Sequence, residues 1–140
     1  MKSELRPGNL TRAGVGLIVF GFFVFVFGRF PGLLGLDITP DIGILQIAVF
    51  LFGITLMALG AYIYMYATRH RAQPRRLRED VGVRLMATGM VATYVTGFAD
   101  VLGIGSHFGA ERPLFGTLQA WGVALGVFVI LAGIVIYSRK

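Results

Sequence analysis

The chain has 140 residues, 56% of them hydrophobic and 14% charged, with a mean hydropathy of +0.76 and a formal net charge of +6. That is too apolar for a soluble core inside a polar shell, and the length allows one domain. Cysteine is absent, which excludes disulfides, thiolate metal sites and iron–sulfur clusters.

Taken in chain order, four stretches are nearly charge-free: Ala13–Gly28, Ile42–Thr68, Leu85–Ala99 and Leu114–Ser138. A helix needs about 20 apolar residues to cross the hydrocarbon layer of a bilayer. The second and fourth stretches reach that directly. The first and third reach it by running on past Arg29 and Asp100, charges near helix ends that can snorkel to the headgroups. The expected fold is an all-α membrane protein, one domain over 1–140, with four transmembrane helices near 12–34, 41–68, 81–104 and 113–138.

The basic residues give an orientation. Lys2, Arg6 and Arg12 precede the first helix, the run RHRAQPRRLRED at 69–80 joins the second to the third, and Arg139 and Lys140 follow the fourth. The loops at the other end hold Asp37 and Asp41, then Glu111 and Arg112. By the positive-inside rule both termini and the 69–80 loop are cytoplasmic, in a multi-pass protein of the cell membrane. That loop is also expected to attract anionic lipid. No aromatic residue interleaves with its arginines, so nucleic acid is not an expected partner, and His70 within it reads as solvated.

Two halves of the chain resemble each other. Pro40–Tyr64 aligns without a gap on Pro113–Tyr137 through the pattern P-x2-G-x-L-Q-x6-G-x6-G-x2-I-Y. The preceding helices align as well, GVGLIVFG at 14–21 on GVRLMATG at 82–89, and Phe30, Leu34 and Gly35 find Phe98, Leu102 and Gly103. The second copy has a longer loop around 105–110. The repeating unit is a helical hairpin, repeat A over 12–68 and repeat B over 81–140. Two crossings per unit return the chain to its starting side, so the copies are tandem, parallel repeats related by an axis along the membrane normal.

Small residues recur every seven positions: Gly14, Gly21 and Gly28; Gly53 and Gly60; Gly82 and Gly89; Gly126 and Gly133. Gly122 adds a G-x-x-x-G with Gly126. Such stripes let helix backbones approach closely in lipid, and a strict seven-residue spacing implies a left-handed bundle. Gln46 and Gln119 continue the stripes of the second and fourth helices, and a buried amide needs partners. They are expected to point into the bundle, facing one another or a backbone carbonyl. With Arg29 and Asp100 at similar depth they make a candidate polar cluster, structural or ligand-binding, in which an Arg29–Asp100 pair sets helix register.

No catalytic constellation is present: no H-E-x-x-H, nucleophile elbow or phosphate-binding loop, and no metal site. No cofactor is predicted. His107 is the candidate pigment or metal contact, and FGFFVFVFGRF at 20–30 offers apolar surface to an interfacial lipid, quinone or pigment. Trp121 and Tyr62, Tyr64, Tyr66 and Tyr137 read as interface anchors. These features point to a non-catalytic accessory or scaffold subunit of a larger membrane complex, by analogy an energy-transducing or photosynthetic one, with other integral-membrane subunits and lipids as partners. The alternative is a small oligomeric transporter or channel lined by Gln46, Gln119 and Asp100.

Overall fold

A computed structural model describes residues 7–30, 32, 35, 43–69, 74, 76–104 and 115–139. It is all-helical, with four helices: α1 Pro7–Arg29, α2 Ile44–Thr68, α3 Leu77–Gly97 and α4 Thr117–Ser138. Three of them, α1, α2 and α4, are long and apolar enough to cross a membrane. The third is less apolar than expected because its first turns carry Arg78, Glu79, Asp80 and Arg84, and because it stops at Gly97 rather than Ile104.

Each helix boundary has a local cause. Pro7 opens α1, where the missing N–H belongs to an amide that has no intrahelical acceptor. At the other end Pro31 disfavours helical geometry at Phe30, so α1 closes at Arg29, short of the expected Leu34. Gly43 and Gly116 stand in extended geometry as the N-caps of α2 and α4. Glu79 and Asp80 in the first turn of α3 complement the positive end of its dipole.

Past α3 the chain makes one more loose turn. The Ile104 N–H donates to the Ala99 carbonyl at 2.9 Å and the Gly103 N–H to that of Asp100 at 3.3 Å, with Gly103 at φ +72. This is the Schellman arrangement, and the left-handed residue in it favours glycine. Gly35 follows α1 with φ +67 and donates to the Gly32 carbonyl at 3.1 Å. The two positive-φ glycines are thus the pair that the sequence alignment superposes.

Packing divides the molecule into two antiparallel pairs, α1 on α2 and α3 on α4, and α2 alone lies substantially against the other pair. The buried core consists of Ile47, Phe50, Leu51, Ile54, Ala58 and Met65 from α2, met by Met86 of α3 and Val123 and Ile130 of α4. α1 is peripheral: 11% of its apolar window is buried against 39% for α2. Val15, Val19, Phe20, Phe22, Phe23 and Phe27 accordingly face outward.

Candidate functional site

The predicted glycines sit inside the hairpins, where they bring backbone onto backbone. A Cβ on Gly60 would lie 2.7 Å from the Gly14 carbonyl oxygen, one on Gly21 2.9 Å from that of Gly53, and one on Gly28 2.5 Å from the Phe50 nitrogen. A Cβ on Gly53 would abut the Phe25 nitrogen. In the second hairpin a Cβ on Gly82 would lie 2.7 Å from the Gly133 carbonyl oxygen, one on Gly89 2.6 Å from that of Gly126, and one on Gly122 2.6 Å from the Thr96 side chain. Distances this short leave no room for a methyl group, so the two backbones of each hairpin touch along its length.

The two glutamines occupy the same place in their helices, three residues after a glycine N-cap, and do different things there. Gln119 turns back on its own helix: its Oε1 accepts the Gly116 N–H at 2.6 Å, satisfying one of the amides exposed at the start of α4. Its Nε2 is buried and has no hydrogen-bond partner. Gln46 reaches across instead, its Nε2 donating to the Arg29 carbonyl at 3.4 Å and tying the end of α1 to the start of α2. The amides do not bond to each other.

Arg29 and Asp100 form no ion pair. α1, which ends at Arg29, packs on α2, and α3, which Asp100 follows, packs on α4, so the two segments share no substantial interface. The Arg29 guanidinium lies over the neighbouring Phe30 ring, 5.2 Å from its centroid, and the Asp100 carbonyl is consumed in the Schellman turn. Of the predicted cluster the structure therefore brings together only Gln46 and the Arg29 backbone. His107 lies outside the described residues, as do Lys2, Arg6, His70 and the prolines at 40 and 113. Among the described residues no group of acidic or histidine side chains could hold a metal ion.

Two further polar arrangements join the hairpins. Thr55 on α2 and Tyr94 on α3 place their hydroxyl oxygens 2.7 Å apart, and the Thr55 hydroxyl also lies 3.0 Å from the Leu51 carbonyl. The threonine has one proton and the carbonyl can only accept, so Tyr94 is the donor to Thr55. Towards the start of α2 from this bond the contact is apolar: the Gly97 backbone against Leu51, and the Phe50 ring edge-on to Phe115 at 5.5 Å. The second arrangement lies at the other end, where Arg69 Nε stands 3.0 Å from Glu79 Oε2 with both side chains largely buried. That oxygen accepts no hydrogen bond in good geometry, so the attraction is one of charge. It closes one wall of a cavity of about 630 Å³ between the last turns of α2 and α4 and the start of α3.

Neither arrangement was readable in advance. Thr55 is the one hydroxyl-bearing residue deep inside α2, which is a signal, but nothing in sequence spacing says which helix it meets. The cavity needs Arg139 beside Arg76, residues far apart in the chain. Comparison with family models, with curated proteins and with solved structures finds no match to this chain.

Proposed function

We propose that the chain is a non-catalytic accessory subunit of a larger complex in the cytoplasmic membrane, built from two tandem hairpins with four crossings. Both termini and the 69–80 segment then lie on the cytoplasmic side. The reading of α3 as a fourth crossing is supported by its glycine contacts with α4, which run antiparallel from Gly82–Gly133 to Thr96–Gly122. Those contacts extend over roughly 20 Å of helix, so α3 follows an apolar partner through most of the bilayer. The duplication is supported by the matching left-handed turns at Gly35 and Gly103 and by the matching glycine N-caps.

The observation that carries the accessory reading is that the polar residues serve the fold. Gln119 caps its helix and Gln46 ties α1 to α2. They do not converge on a shared path through the bundle, whose interior is mostly apolar. The transporter alternative keeps one specific support, the buried and unpartnered Nε2 of Gln119.

Purification in mild detergent distinguishes the two. Companion subunits at fixed stoichiometry are expected; a pure homo-oligomer that conducts ions or solute in liposomes would sink the accessory reading. The absence of native cysteine allows single-cysteine topology mapping. With four crossings, an impermeant maleimide reaches Ala72→Cys and Ser106→Cys from opposite sides. Labelling of both from one side would mean that α3 does not cross.

A further inference from the structure

We propose that the cavity at the arginine-rich end of the bundle binds a phosphate group, carried by an anionic lipid headgroup or present as free inorganic phosphate. The lipid form rests on the membrane reading above. Among the described residues four arginines line the space, Arg69, Arg76, Arg78 and Arg139, against one acidic residue, Glu79. They do not come from one run of sequence. Arg69 follows the last residue of α2, Arg76 and Arg78 open α3, and Arg139 follows the last residue of α4. Three helix ends therefore aim positive charge into one volume. Charge that merely set orientation would be equally effective spread over the surface, whereas here it borders one open-sided space of about 630 Å³, room for a phosphate together with a small polar headgroup.

The chemistry of the lining selects the ligand. Planar guanidinium groups present paired N–H donors that match the oxygens of phosphate, and several of them around one anion outbid water where a single exposed arginine does not. Glu79 is the one acidic residue among the described lining, and Arg69 holds it at 3.0 Å in a pair that is mostly shielded from solvent, so its charge is compensated within the wall. The depth is also right for lipid. The cavity begins where the apolar spans of α2 and α4 end, at Thr68 and Ser138, and the Tyr64 ring lines it beside the guanidiniums. Tyrosine anchors and lipid phosphates occupy the same layer of a bilayer.

The test uses the full-length protein in a neutral detergent, titrated with dioctanoyl phosphatidylglycerol, with dioctanoyl phosphatidylcholine and with inorganic phosphate at constant ionic strength, and read by native mass spectrometry and thermal midpoint. Saturable binding of one phosphatidylglycerol that phosphate does not displace assigns a lipid site, and saturable binding of inorganic phosphate assigns a free-anion site; either supports the cavity as a phosphate site. Arg76→Gln combined with Arg139→Gln is expected to weaken that binding about tenfold or more. Arg12→Gln combined with Arg84→Gln removes the same charge from exposed positions outside the cavity, and is expected to leave affinity nearly unchanged. Equal weakening by both pairs, or no saturable binding of either probe to the unaltered protein, overturns the proposal. A measurement on the unaltered chain guards against misfolded variants: the bound probe should protect Arg76 and Arg139, but not Arg12 and Arg84, from phenylglyoxal. Uniform reactivity with and without probe counts against the site. The topology labelling fails if the membrane reading is wrong, whatever this cavity binds, so the two failures are separable.

Discussion

The two hairpins use the same device with one difference. In α1–α2 the glycine contacts are backbone on backbone at every level, at Gly14 with Gly60, Gly21 with Gly53, and Gly28 with Phe50. In α3–α4 the first two levels repeat this, but at the third Thr96 stands where the first hairpin has Gly28, and Gly122 meets only its side chain. The outer atoms of a side chain can turn aside, although the Thr96 Cβ stays 2.7 Å from a Cβ placed on Gly122; a backbone pressed against another cannot yield without moving a helix. The first hairpin is therefore a rigid pair with little else to hold α1. The second gives up some closeness and gains hydroxyl groups, among them Thr93, fully buried and bonded to the Gly89 carbonyl at 2.8 Å.

The largest expected effect separates these modes. Gly53→Ala and Gly28→Ala should each destabilise the protein by about 2–3 kcal/mol, the cost of overpacking against atoms that cannot move aside. Gly122→Ala should cost less, about 1–2 kcal/mol, because Thr96 can turn its Cγ2 and Oγ1 aside while its Cβ stays 2.7 Å from the added methyl group. Gly16 has open space around its Cβ position and serves as the control, expected within about 0.5 kcal/mol of the parent. Unfolding midpoints in a single detergent rank all four; equal losses at Gly28 and Gly122 would erase the distinction between the hairpins.

A second experiment asks what holds the hairpins to each other. Removing the hydroxyl pair by Tyr94→Phe and Thr55→Val, singly and together, should reveal a coupling of roughly 0.6–1.7 kcal/mol, the range for hydrogen bonds between membrane helices. A coupling near zero would leave the junction to its apolar contacts, Leu51–Gly97 and Phe50–Phe115 among them, and to the Arg69–Glu79 pair.

The smallest effect concerns the glutamines. Gln119→Met loses a cap bond but also removes a buried N–H that has no partner, so the two changes nearly offset and the midpoint should move by less than about 1 kcal/mol. Gln46→Met loses a 3.4 Å bond to the Arg29 carbonyl and should loosen the end of α1, seen as faster hydrogen exchange near Phe27–Arg29 with little change in midpoint. A large loss at either position would show that the amide meets a partner beyond its own hairpin.

Much of this architecture is legible along the chain. Hydropathy alone marks α1, α2 and α4, because no water is present in hydrocarbon to accept unpaired backbone groups. Seven-residue spacing marks the faces that touch, because only small residues permit the approach. Both signals are local, and both hold for Gly14 and Gly21, the second also for Gly82 and Gly89. The glutamines show where local reading stops. Their place on the glycine stripe suggested a shared interior cluster with Arg29 and Asp100, yet a side chain three residues from a helix start can satisfy its own cap more cheaply than it can cross a bundle.

What only the tertiary structure decided is which helix stands next to which. That α2 is the central element, that Thr55 meets Tyr94, and that Arg139 comes beside Arg76 and Arg78 all depend on how one hairpin docks on the other. That docking is made by a few contacts between residues distant in the chain, and no periodicity records it. Within each hairpin the partner is the next helix along, so the sequence by itself determined the pair; between hairpins it left the choice to the packing.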